Sequence, residues 1–410
     1  MLDSVDSSTR IISSRQTHRT LNLFRLVFSL GISVALTPLQ AAPYTPTSDA
    51  QVLERLPARA DAAGLRRVNE LRRQLASTPQ DAALAVGLAK AYYELAAAEG
   101  DPRYIGYAQA ALAPWWKEPN PSPEIRVERA VILQFNHHCE EALADLRAAV
   151  HAQPGNALAW AWMAAIAMVQ AQYPQAREAC TRMAPHTSAL VATACSAAVD
   201  AHTGRAAAAT AALQTELRTT APPAEQLWAL TRLAETQERL GDAAATQSSF
   251  QRGLALALPD VYLLAAYADF LLDQGRAAEV LVLLKDKARA DVLLLRLALA
   301  ARATNSPQLK TWQDDLTARF AAARLRGDST HVKEESRFVL ALQGDAQRAL
   351  ALAAENYAVQ REPADARILL EAALAAGKPE AAAPVLAWMR ESKIESKALG
   401  ALAQKLGARP

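Results

Sequence analysis

The chain has 410 residues, 51% of them apolar and 21% charged, so it can bury a large core and does not read as a disordered polymer. Aromatics make up only 6% and no segment alternates apolar with polar residues, which excludes a β-rich fold; Ala and Leu dominate, as in helices that cross closely. Forty-four basic against 42 acidic residues leave a net charge of +2, which argues against nucleic acid or an anionic membrane as the partner.

The first residues stand apart. Arg10, Arg15, Arg19 and Arg25 precede an apolar run over residues 26–36, then Pro38 and Gln40-Ala41-Ala42-Pro43. A basic region, an apolar region and small residues at a cleavage point form a secretory signal peptide, assigned here to residues 1–41. The run is too short to span a bilayer, which needs about 20 residues. Cleavage after Ala41 or Ala42 is expected, leaving no stable membrane span; a short buried helix and a retained anchor are the alternatives.

Residues 42–60 read as a flexible segment and 61–122 as N-terminal helices with a connector. A basic amphipathic helix from Asp61 to about Ala76 carries Leu65, Val68, Leu71 and Leu75 on one face. Asp81 can cap the next helix, and Gly100-Asp101-Pro102 turns the chain back. Pro114, Pro119, Pro121 and Pro123 bracket Trp115-Trp116 in an irregular connector. The two indoles either wedge this connector onto the first helices or leave one ring to stack on a sugar or peptide.

Residues 123–289 repeat regularly. Ala142 recurs as Ala176 and Gly241 as Gly275, 34 residues apart each time. The pattern predicts helix pairs over 125–135 and 140–151, 158–169 and 175–183, 190–202 and 205–218, 226–240 and 243–256, and 261–272 and 277–287. Pro154-Gly155, Gly204, Gly241-Asp242 and Pro259-Asp260 supply the breaks and caps. Residues 290–390 hold looser pairs, turning at Asn305-Ser306-Pro307, Gly344-Asp345 and Gly377-Lys378-Pro379, with a break at Gly327-Asp328-Ser329. Residues 391–410 form a last helix (394–406) whose Lys397 and Lys405 would face solvent and cap the stack.

Trp160, Met163, Ala164, Tyr173, Ala176 and Pro185 form the best unit. Leu230, Leu233, Ala234, Phe250 and Pro259, then Leu264, Tyr267, Ala268, Leu271 and Leu284, form later ones. In size and spacing these resemble tetratricopeptide (TPR) repeats over residues 82–390, although Arg126 and Arg129 replace a Trp and a Leu in one unit. The resemblance implies an all-α fold: a right-handed α-solenoid of TPR-like helix-turn-helix repeats with an N-terminal helix and a C-terminal capping helix. It also implies a non-catalytic scaffold that binds a protein or peptide in a concave groove. With the leader, the chain is similar to exported bacterial TPR proteins, which places it in the periplasm.

Projected onto such a groove, Trp228, Glu235, Glu238, Tyr262, Asp269 and Asp273 give an acidic face with two aromatics at its rim, suited to Lys or Arg beside apolar side chains; an ordinary solvated helix face is the alternative. The family's clamp for a C-terminal carboxylate uses several Lys, Arg and Asn residues, and only Arg239 falls in this set. No phosphate loop, nucleophile elbow or Cys-x-x-Cys occurs, so no catalytic residue or cofactor is assigned. An accessory role in envelope polysaccharide handling or secretion is one alternative. Metal handling through His137, His138 and Cys139 is another, but His151 lies about 18 Å further along its helix, and no metal site is assigned. Cys180 and Cys195 fall on consecutive helices, close enough for a disulfide, or are two small core residues.

N-terminal sequencing of the exported protein should begin at Ala42 or Pro43. An intact leader would mark it as an anchor.

Overall fold

The computed structural model describes residues 63–325 and 331–407. The expected leader, the segment 42–60 and the turn at Gly327-Asp328-Ser329 lie outside these. Among the described residues there are twenty-one α-helices, three short 3-10 or π segments and no strand.

Helix α1 (Ala63–Ser77) packs on α2 (Ala82–Glu99), which turns at Gly100 into α3 (Arg103–Ala111). Where the sequence suggests an irregular connector, the chain forms the short helix α4 (Ala113–Trp116). Pro114 sits in its first turn, where a missing N–H goes unnoticed. Trp115 and Trp116 are both half-buried, and Trp116 bridges the N-terminal core to the next one, which is the wedge arrangement.

The pairs then follow in order. They are α5 (Pro123–Phe135) with α6 (Cys139–Ala152), α7 (Ala157–Val169) with α8 (Tyr173–Met183), and α9 (Ala189–His202) with α10 (Ala206–Glu216). Next come α11 (Pro223–Leu240) with α12 (Ala243–Ala255) and α13 (Val261–Asp273) with α14 (Ala277–Leu283). The last are α15 (Asp291–Ala303) with α16 (Leu309–Leu325), α17 (Val332–Phe338) with α18 (Ala346–Val359), and α19 (Pro363–Ala375) with α20 (Ala383–Ser392), before α21 (Lys397–Lys405). These are TPR-like pairs stacked as an α-solenoid.

Local chemistry sets the boundaries. Asp81, Asp242, Asp260 and Asp345 each accept a hydrogen bond from the backbone N–H three residues on, as N-caps do. Ala142 and Ala176 are fully buried where the helices of a pair cross; Leu146 shares the core of the first and Met183 that of the second. Two predicted ends move. α14 stops at Leu283 rather than 287, because the chain turns through Asp286 at φ +62°. The last helix begins at Lys397 rather than 394, capped by Ser396, while Ile394 is buried in the preceding turn.

The inner helices α2, α5, α7, α9, α11 and α13 touch in succession, and α2 also packs on α13, five pairs later. α11 likewise meets α21, again five pairs on. The coil therefore closes on itself after about one turn, and a seam of specific contacts joins the turns. Gly100 is required there twice over: it ends α2 at φ +66°, and a side chain on it would lie 2.6 Å from the Ala290 Cβ. Further along, the Arg361 N–H donates to the Val169 carbonyl at 2.7 Å. Trp388 Nε1 donates to the buried Tyr173 hydroxyl at 2.9 Å, and the Ala206 N–H to the Glu395 carboxylate at 2.6 Å. Helix α21 packs on α19 at the end of the stack, with Lys397 and Lys405 exposed, and also docks on an earlier turn, with Lys397 beside Gly241.

Cys180 on α8 and Cys195 on α9 are joined sulfur to sulfur, with Cα atoms 5.6 Å apart. Replacing both with Ala should lower stability by about 3 kcal/mol, the loop-closure value for a short loop. Non-reducing mass spectrometry should find the 180–195 link; three free thiols would exclude it.

Candidate functional site

The inner helices present residues three to four apart toward the axis of the coil, so the concave face becomes the wall of a lumen. Trp228, Glu235 and Glu238 come from α11; Tyr262, Asp269 and Asp273 come from α13. Half of the Tyr262 surface stays open to water, so solvent reaches this part of the wall.

Cations from later pairs meet these acids. Asp269 accepts from Arg296 of α15 and from Arg337 of α17, each at 2.6 Å. Asp273 is held by Arg367 of α19 at 2.8 Å, and the same guanidinium binds Glu371 at 2.7 Å. Glu235 pairs with Arg232 at 3.2 Å and accepts from the Tyr262 hydroxyl, while Arg232 lies 4.9 Å from the centre of the Tyr262 ring. Lys333 faces the buried Asp365 at 3.7 Å, and Asp365 also takes hydrogen bonds from Asn356 and from the Glu362 N–H.

The network sorts the carboxylates. Burial alone would raise Asp269, but Arg296 and Arg337 more than offset it and hold the group at about 2. Glu238 goes the other way: burial, then the charges of Asp273, Asp269 and Glu235, push it up to about 8. It accepts no hydrogen bond and forms no ion pair among the described residues. His202, in the wall formed by α9, is driven down to about 3 by burial and by Arg239, so its ring is neutral, with Nδ1 placed 2.7 Å from the Ala198 carbonyl.

The structure thus brings the six groove residues into one lumen and corrects the expectation of an open acidic groove. Asp269 and Asp273 are already neutralised by Arg296, Arg337 and Arg367, from pairs that the sequence presents only as degenerate repeats. Sequence reasoning missed those cations and Lys333, because contact across the lumen depends on how far the coil winds per pair. One signal was readable: Arg296 is the lone charge in the apolar stretch 292–301, and a buried cation there needs a carboxylate.

His137, His138 and Cys139 lie elsewhere, on the rim of a cavity of about 380 Å³ at the seam, opposite Val359 and Arg361. His137 Nδ1 sits 3.2 Å from Gln360 Nε2, and burial raises the Cys139 thiol. Among the described residues no three His, Cys, Asp or Glu side chains are placed to hold a metal, and no helix is long and apolar enough to cross a membrane.

No family model and no curated protein matches the chain. Among solved structures it is similar to a human IFIT1 dimer with m7Gppp-AAAA, at 13% identity and a TM-score of 0.46, covering 84% of this chain and 86% of that one. It is also similar to the TPR domain of P58(IPK), at 14% identity and a TM-score of 0.25, covering 70% of this chain and 97% of that one. At this level of similarity nothing about either protein's ligands carries over.

The raised carboxyl of Glu238 has a pH signature. Its folded value of about 8 lies above the ordinary 4.5, so the unfolded chain ionises first and the native state loses stability as pH rises between the two. Glu238→Gln should leave stability unchanged near pH 4 and raise it at pH 8. The gain should be about 1–2 kcal/mol once screening by lumen water is allowed for. Denaturant midpoints at the two pH values measure it; an equal shift at both would remove the electrostatic explanation.

Proposed function

We propose that the chain is an exported, non-catalytic scaffold of the periplasm that receives a segment of a protein or peptide partner in the lumen of its coil. One observation carries this reading: Trp228 and Tyr262, at matching positions on successive inner helices, keep 38% and 50% of their surface open inside the lumen. Folding gives no reason to leave two large aromatics uncovered there, whereas binding does, since aromatic anchors dominate interface energetics. The charged groups around them are mostly engaged with one another, which leaves Glu238 as the acid available to a partner's Lys or Arg. Export is supported by the leader pattern at residues 10–43 and by the joined pair Cys180 and Cys195, which suits an oxidising compartment.

The test is cross-linking mass spectrometry on periplasmic extract with the full chain and with Trp228→Ala/Tyr262→Ala. The double variant should keep its melting temperature and lose at least about thirtyfold in affinity for the captured partner, as expected of two anchors. Undiminished capture, or cross-links confined to the outer helices, would refute the lumen as the binding face.

A further inference from the structure

Arg239 differs from the other arginines of the lumen. Arg232, Arg296, Arg337 and Arg367 each hold a carboxylate within 3.2 Å. Arg239 holds none among the described residues. Its Nη2 reaches only the Ala201 carbonyl at 3.4 Å and the Thr236 hydroxyl at 3.5 Å, both at the long limit of a hydrogen bond. Its Nε–H is shut away from protein acceptors and water alike, while Nη1, without an acceptor among the described residues, faces solvent.

Nothing in the surrounding wall supplies the missing charge. His202 is neutral. Arg232 adds repulsion, and burial weakens the hold of Arg239 on its own proton. Glu235, the nearest source of attraction, already serves Arg232 and the Tyr262 hydroxyl. A half-buried guanidinium whose Nε–H meets neither an acceptor nor water, and which has gained no ion pair, is under-satisfied. A chain that keeps one beside four well-paired arginines has left a place for an anion.

We propose that Arg239 seats a small monovalent anion, a halide or a short carboxylate, inside the coil. The charge limit follows from Glu235, whose field reaches Arg239 and would repel a second negative charge on the ligand. The size limit follows from the neighbours: Tyr173 and His202, with ring centres 6.0 Å apart, both lie within reach of the Arg239 charge, so a short anion displaces less than a bulky one. A carboxylate would use the guanidinium as a planar fork, and a halide as a point charge. This site is independent of the partner proposed above.

Thermal denaturation of the full chain at constant ionic strength in sodium chloride, acetate and gluconate separates the sources. Wild type should melt higher in chloride or in acetate than in bulky gluconate, with a saturable dependence on concentration, and whichever anion gives the shift is the ligand class. Arg239→Met should abolish the difference and, in gluconate, melt at or above wild type, because it removes an uncompensated cation. Arg239→Lys, which keeps the charge but not the fork, should retain a chloride shift and weaken an acetate shift at least about tenfold in midpoint concentration. The proposal fails if the three salts give one melting temperature, if the shift survives in Arg239→Met, or if that variant melts below wild type in gluconate. The last outcome would make the guanidinium a structural tie to Ala201 and Thr236.

Discussion

The two-armed pairing of Asp269 is the interaction on which the closed coil depends. One carboxylate on α13 holds a guanidinium from the next pair and another from two pairs on, so it fixes the winding of three successive inner helices at once. Its position decides its strength. In open water each contact would contribute little, but inside the lumen the loss of Asp269 would strand two cations away from bulk solvent. Arg367 extends the same logic by a further pair, tying α19 back to Asp273. These ties draw the inner face together, and the seam contacts around Gly100, Tyr173 and Glu395 then join one turn to the next.

Closure changes what a concave face can do. An open solenoid offers its groove to any partner of suitable charge. Here the acids that would have drawn a basic segment face arginines of the same chain, so only a few lumen groups lack a partner. Trp228 keeps much of its surface open, as does Tyr262 beside its contacts with Arg232 and Glu235; among the described residues Glu238 stays without a donor and Arg239 without a carboxylate. Arg232 too leaves its Nε without an acceptor, but its guanidinium holds Glu235, whereas these exceptions are less stable than the paired alternative that the neighbouring repeats achieve.

Helix boundaries were legible because their causes are local. Asp242 and Asp345 cap helices through a hydrogen bond spanning three residues, and the recurrence of Ala142 as Ala176 marks where the two helices of a pair must cross. The departures are local too: the sequence around Asp286 looks helical until the chain must turn early, and Pro114 reads as a breaker although it occupies the first turn of a helix. The lumen was legible only in half. The positions of Asp269 and Asp273 follow from helical periodicity, but their partners come from 27 to 94 residues away in sequence, across gaps set by a superhelical pitch that no local motif encodes. Arg296 was the exception, betrayed by the apolar helix around it.

The same reasoning explains why Glu238 and Arg239, adjacent in sequence, remain apart in chemistry. On a helix neighbouring side chains diverge by about 100°, so one points toward α13 and its acids and the other toward α9 and its neutral imidazole. They form no ion pair with each other, and the register that lets Asp269 and Asp273 meet cations offers Glu238 none and Arg239 no carboxylate among the described residues. Their unpaired state is thus a consequence of the helical period itself, imposed wherever a repeat places opposite charges side by side facing a closed interior. On the readings proposed above, what fills the gap comes from solution: a base of the partner for Glu238, an anion for Arg239.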